Sequence, residues 1–213
     1  MSENIDKITI NLKRGELITI AGRPGMYKTS LGISIVNSIS KQTNEKILYV
    51  TLESSKDTLK KRFVGNNVQI VDDINDIEDI KSKCEEMSKQ VLSLVVIDYM
   101  QVITTSNEFD NKLEEKFYIS KLLKTLTIEL NIPVIVISQL TRSIEERENK
   151  RPTLHDTITT GLQQDSDKII CLYCDNYYNN KSSNIVELII VKNRNERLGT
   201  IKLKFNKDTF TFE

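Results

Sequence analysis

Apolar residues along this chain follow two kinds of pattern. Short continuous runs at 17–21, 47–52, 91–97 and 132–137 predict strands buried on both faces, the last interrupted near its start by Pro133. Between them, apolar positions recur every three or four residues: Leu31, Ile33, Ile35, Val36 and Ile39; then Ile74, Ile77, Ile80, Cys84 and Met87; then Phe117, Leu122, Leu123, Leu126 and Leu130 within 113–130. That spacing predicts amphipathic helices. A polar helix over 56–63 and a small strand over 68–71 fill the remaining gap, and the alternation Ile8, Ile10, Leu12 predicts a half-buried strand over 7–12. The charge-dense stretch 141–151 reads as a loop or a solvated helix. From Lys168 onward the pattern is strands, at 169–174, 185–191, 200–205 and 209–212, with turns over 176–183 and 193–196. Alternating strands and helices, with strands apolar throughout, predict an α/β fold: a mainly parallel sheet covered by helices on both faces, extended at one edge by antiparallel strands.

Composition narrows the function classes. The 213 residues suffice for one sizeable core, and 38% apolar with 28% charged content is that of a globular protein. Lys plus Arg and Asp plus Glu are 30 each, so the net charge is zero and a non-specific nucleic-acid coat, which would be basic, is not indicated. There is no charged-then-apolar leader and no long apolar run, which points to a cytosolic chain with no membrane partner. Cys171 and Cys174 have C-x-x-C spacing, but on a strand residues three apart face opposite ways, so with Cys84 they read as core cysteines.

The chemistry concentrates after the run at 17–21. The candidate nucleotide-binding stretch is Gly22, Arg23, Pro24, Gly25, Met26, Tyr27, Lys28, Thr29 and Ser30, a loop between a strand and a helix. That is the setting of a phosphate-binding P-loop, in which backbone N–H groups and a Lys meet phosphate and a hydroxyl meets magnesium. Tyr27 stands where the motif wants Gly. A strained non-Gly residue there costs about 1–3 kcal/mol, which would weaken nucleotide binding roughly tenfold to a hundredfold if it fell on that step.

Ligands in parallel α/β folds bind at the carboxyl ends of the strands, where Glu53, Asp98 and Gln139 each close a run. Asp98 can hold magnesium through water or the Thr29 hydroxyl, Glu53 can deprotonate an attacking water, and Gln139 can sense a γ-phosphate. Asp98 also reads as a strand-end Asp that starts a turn, Glu53 as an exposed acid or helix cap before Ser54, Ser55 and Lys56, and Gln139 as an ordinary polar strand end. Lys192 and Arg194 share one face of a strand and can reach a phosphate; such a pair is otherwise a solvated face.

These blocks together resemble the motor domain of the DnaB family of replicative helicases. The stretch 15–29 is similar to that family's P-loop region, Leu52-Glu53 to the segment with its catalytic Glu, and 96–101 to its magnesium-binding block. Residues 138–143 through 150–152 resemble its sensor and following loop, and 164–167 with 192–194 complete the set. The resemblance implies a single RecA-like ATPase domain over 1–213 that hydrolyses ATP with Mg2+ and drives movement along single-stranded DNA in a ring, usually a hexamer. It assigns Lys28, Thr29, Glu53, Asp98 and Gln139 to act within one subunit and Lys192 and Arg194 to reach the neighbour's nucleotide.

Three departures qualify that expectation. About fourteen residues precede Gly15, where the family carries a further domain and a linker helix that supports ring assembly. Ile158-Thr159-Thr160-Gly161 stands in place of the family's Arg-Glu-x-Gly DNA loop, removing one cation per subunit. Tyr27 is the third. They define a second expectation, a catalytically weakened homologue that binds a replicative helicase or other replication protein as loader or regulator. A recombination-type ATPase is a third, disfavoured by the 138–152 block.

Overall fold

The structure, a computed structural model, describes residues 5, 9, 12–179 and 183–212. Nine strands form one sheet: β1 (Leu17–Gly22), β2 (Lys46–Thr51), β3 (Val68–Val71), β4 (Leu92–Asp98), β5 (Val134–Gln139), β6 (Lys168–Tyr173), β7 (Ile185–Asn193), β8 (Gly199–Asn206) and β9 (Thr211–Phe212). Their order is β3-β2-β4-β5-β1-β6-β7-β8-β9. Pairings from β3 to β6 are parallel, and β6–β7, β7–β8 and β8–β9 are antiparallel. The helices are α1 (Lys28–Gln42), α2 (Lys56–Lys60), α3 (Ile77–Ser88), α4 (Lys112–Leu130), α5 (Leu162–Asp165) and α6 (Asp175–Asn179).

The continuous apolar strands are explained by what lies on either side. Successive side chains of a strand face opposite ways, and here both faces are covered. Ile47 and Tyr49 of β2 pack with Leu31, Ile33 and Val36 of α1. Leu48 and Val50, the alternate positions, pack with Ile80 and Cys84 of α3 and Leu123 of α4. The α1 side extends under the antiparallel edge through Val186, Leu188, Leu203, Phe205 and Phe212, which is why α1 is buried without a break from Ser30 to Ser38. The helix starts follow local chemistry: Asn111 accepts from the Leu113 and Glu114 N–H groups at α4, and Asp76 from Glu78 N–H at α3.

Several sequence expectations change in detail. The predicted turn over 176–183 overlaps α6, a single short helix with no buried residue, which leaves no apolar periodicity to read. Ile74 lies outside α3, whose Asp76 cap starts the helix two residues later, although Ile74 still packs against that core. Val91 is 63% exposed and precedes β4. The strand expected over 7–12 falls mostly outside the described residues, and Thr9 within it is helical. The 141–151 stretch is not purely solvated, because Ile144 in the 3-10 turn Arg142–Glu146 is fully buried with Leu140, Ala21, Ile169 and Cys171. Cys171 and Cys174 join different clusters on opposite sides of the sheet, as core cysteines would.

Candidate nucleotide site

The carboxyl ends of the parallel strands bring the candidate residues onto one rim. Register places Gly22 beside Gln139, and Asp98 between Thr51 and Ile137. A cavity of about 380 Å³ opens there, lined by Pro24, Gly25, Tyr27, Lys28, Thr29, Ser30, Glu53, Asp98, Tyr99, Gln139 and Phe210. Residues 28–30 are the first turn of α1, whose backbone N–H groups have no intrahelical partners. No acidic side chain occupies that turn, so the positive end of the helix is left for an anion.

The loop folds on itself before it meets anything else. Met26 N–H donates to the Arg23 carbonyl, and the Lys28 ammonium reaches back to the same oxygen at 3.2 Å. Burial pulls the Lys28 pKa down, an effect opposed by the Asp98 and Glu53 carboxylates and reinforced by Arg23. Gly22, Arg23 and Met26 do not line the cavity. Met26 is buried in the core, and the Arg23 guanidinium turns under the loop to Glu145 Oε1 at 2.8 Å and the Leu140 carbonyl at 2.8 Å. That contact ties the P-loop to the segment following Gln139.

Tyr27 adopts the left-handed backbone conformation, φ 59° and ψ 26°, that a glycine would take at this point. Its ring turns toward β8 and stacks on Phe205, centroids 3.8 Å apart. The expected strain is therefore present in the folded chain before any ligand arrives, so it weighs on folding rather than on binding.

Asp98 is 3% exposed at the end of β4. Burial raises its pKa; hydrogen bonds from Thr29 and Tyr49 lower it, Glu53 raises it and Lys28 lowers it. Glu53 follows β2 in a tight turn closed by Ser54 N–H on Thr51 Oγ1 and by the Thr51 hydroxyl on the Ser54 carbonyl. Gln139 is held by its main chain. Gln101 accepts from Gln139 N–H at 3.2 Å and donates to the Gln139 carbonyl and the Ser138 hydroxyl.

Among the described residues no three His, Cys, Asp or Glu side chains cluster as a metal cage. Thr29 and Asp98, hydrogen-bonded at the cavity wall, suit Mg2+, which takes few protein ligands, keeps waters and completes its shell with phosphate oxygens.

Lys192 and Arg194 lie elsewhere. The residues paired with them sit at the amino ends of the parallel strands, where Lys168 pairs with Ile18 and Asn193. Lys192 donates to the Gln163 and Gln164 carbonyls, and Arg194 to the Gln164 carbonyl and Asp167 Oδ1. They share a face, as expected, but do not reach this chain's own cavity. Phe210 and Arg62 carry no signal in the sequence pattern. Phe210 lines the cavity from near the end of the chain, while Arg62 bonds the Ser30 hydroxyl and the Phe210 carbonyl. No local motif announces either, because the contacts join segments far apart in sequence.

A parallel sheet with a phosphate-type loop between its central strand and a buried helix, plus an antiparallel edge, is the RecA-like ATPase architecture. A family model described as the DnaB-like helicase C terminal domain matches residues 2–74 and 66–213. The chain belongs to that family. It is 35% identical to the replicative DNA helicase DnaB of Geobacillus stearothermophilus and 32% identical to the replicative DNA helicase DnaC of Bacillus subtilis, each match covering 96% of this chain and 53% of the relative. The chain thus spans about half the length of these curated relatives. A solved ATPase domain superposes with a TM-score of 0.87 at 30% identity, over 94% of this chain and 84% of that one. A DnaB-like replicative helicase studied for its interactions with primase gives the same TM-score and identity, over 94% of this chain and 57% of that one.

Proposed function

We propose that the chain is an ATP-hydrolysing helicase motor domain that works on single-stranded DNA in replication, with ATP as substrate and Mg2+ as cofactor. The observation that carries this reading is the convergence of Lys28, Thr29, Glu53, Asp98 and Gln139 on one cavity from separate strands and the α1 start. Lys28 and the free N–H groups of α1 bind the phosphates. Thr29 and Asp98 would hold the metal, which would supply positive charge against the phosphate oxygens. Glu53 takes the proton from the attacking water. Gln139 reports the presence of the terminal phosphate to the loop after β5, which the Arg23–Glu145 pair also ties to the P-loop. Lys192 and Arg194 complete the site of an adjacent copy in a homo-oligomer, a hexamer by family likeness. Further partners are replication proteins, and the setting is cytoplasmic; among the described residues no helix is long and apolar enough to cross a membrane.

The weakened-regulator reading draws on the strained backbone of Tyr27 and on Ile158, 44% exposed where the family has a cation. Both readings meet in one experiment. ATP turnover should be stimulated by single-stranded DNA, lost in Lys28→Ala and lost in Glu53→Gln. Absence of turnover in wild type and in Tyr27→Gly alike would leave only the regulator reading.

A further inference from the structure

Among the described residues Tyr49 is the largest fully buried side chain, in the middle of β2. Its hydroxyl donates to Asp98 Oδ2 at 2.9 Å. The register explains how it gets there. Thr51 pairs with Asp98 and Tyr49 with Val96, so Tyr49 lies diagonally behind the Asp98 carboxylate on the face covered by α1. Gly32 of α1 lies against the hydroxyl: an added Cβ there would sit in ordinary contact with the Tyr49 oxygen at 3.6 Å and more tightly against Ile137 Cδ1 at 3.1 Å. Phe63 packs edge-on against the ring at 5.1 Å and fixes its other side.

A buried tyrosine needs some acceptor for its hydroxyl. Its main chain is already used in the β2 ladder, and a Phe would fill the same volume without a polar atom. What distinguishes this one is the acceptor: a carboxylate 3% exposed, at the cavity wall, that also hydrogen-bonds Thr29. The phenol occupies one oxygen of Asp98 from inside the protein. That fixes rotation of the carboxyl group and leaves its remaining acceptor capacity toward the cavity. Partners of this kind orient metal-binding carboxylates, and losing them typically weakens metal affinity about 10–100-fold.

We propose that Tyr49 is a positioning residue that sets the Asp98 carboxylate for the magnesium ion of the nucleotide complex. The inference rests on the reading of Asp98 as a metal-holding group. Its test is a binding measurement on the whole chain. A fluorescent ribose-labelled ATP analogue is titrated first in EDTA, then with MgCl2. Tyr49→Phe should leave metal-free nucleotide affinity unchanged and raise the Mg2+ concentration at half-effect by about tenfold to a hundredfold. Phe63→Leu, which loosens the ring packing without touching Asp98, should lower thermal stability and leave the Mg2+ titration where it was. Tyr49→Met, an adaptable filler that also lacks the hydroxyl, should repeat the Mg2+ shift, so the test survives if one variant folds poorly. In an Asp98→Asn background Tyr49→Phe should add nothing. An unchanged Mg2+ titration in folded Tyr49→Phe or Tyr49→Met, with Asp98→Asn strongly impaired, would overturn the role of Tyr49 and leave the site reading standing. Nucleotide binding indifferent to Mg2+ in wild type and Asp98→Asn alike would overturn both.

Discussion

The Tyr27 ring lies against Phe205 with planes 25° apart, while its own backbone holds φ 59°. The two facts have opposite signs in energy. A left-handed non-Gly residue costs about 1–3 kcal/mol, and an aromatic pair returns about 0.5–1.5 kcal/mol beyond its buried area. The stack therefore offsets much of the strain and holds the ring toward β8.

Tyr27→Gly accordingly removes strain, stack and unfolded-state restriction together. Stability should stay within about 1 kcal/mol of wild type, since Gly itself brings an entropic cost of about 0.5–1 kcal/mol. Affinity for a labelled ATP analogue should change by less than about tenfold, the equivalent of 1.4 kcal/mol. Phe205→Ala should be far worse, by about 3–5 kcal/mol in denaturant unfolding, because it empties a buried aromatic site as well as freeing Tyr27. A large affinity increase in Tyr27→Gly would show that the tyrosine opposes binding directly.

Much of this was legible from pattern because the constraints are local or periodic. Runs such as 47–52 announce two-sided burial, and Glu53, Asp98 and Gln139 fall at or just past strand ends that a parallel sheet must gather on one rim, with Lys28 and Thr29 at the start of the helix that follows β1. Contacts made across long sequence separations were not legible. The direction of the Tyr27 ring depends on Phe205, the Gln139 main chain on Gln101, and Arg23 on Glu145. Helix α6 escaped for a different reason: Asp175–Asn179 is too short and too exposed to carry a period.

Alkaline pH should destabilise the fold through Cys84. Burial on the core face of α3, with Glu85 adding to the effect, pushes its thiol from 9.0 up to about 12. A folded pKa raised above the unfolded value means a contribution fully present below pH 9.0 and lost as pH rises toward about 12. For one group shifted this far the loss is about 4 kcal/mol at the alkaline end. Denaturant midpoints measured from pH 8 to 11 should fall, and Cys84→Ala, less stable at pH 8, should fall less steeply. Thiol reagents should modify Cys84 only on unfolding.

The loop over residues 154–161 offers a test of the DNA reading. It is a 3-10 turn, Leu154–Thr160, started by a Thr153–Asp156 capping box and stopped by Gly161 at φ 72°. Gly161 cannot accept a Cβ without meeting Phe117 Cα and Ser120 Cβ at 3.0 Å, so the turn is fixed against α4 and Ile158 is presented at 44% exposure. Placing a cation there should strengthen single-stranded DNA binding and steepen its salt dependence. For Ile158→Arg the slope of log K against log salt should become more negative by about 0.7 for each additional phosphate neutralised. Fluorescence anisotropy with a labelled oligonucleotide across a salt series would read it, and an unchanged slope would place DNA elsewhere.

Arg194 offers a test of whether catalysis is shared between copies. Its guanidinium bonds Asp167 and the Gln164 carbonyl, and Asp167 is also claimed by Lys124 at 2.7 Å. These anchors hold it at the amino ends of the strands, opposite the rim of its own cavity, so any catalytic effect must fall on another chain. Lys28→Ala and Arg194→Ala should each be inactive alone. Mixed, they should recover turnover, because some interfaces then join an intact Lys28 cavity from one variant to an intact Arg194 from the other. An arginine supplied in this way is worth about 10³–10⁵ in rate, so even a minority of such interfaces would rise above background. Failure of the mixture to recover, in samples shown by light scattering to form mixed oligomers, would remove Arg194 from the reaction and leave its bond to Asp167 as a purely structural one.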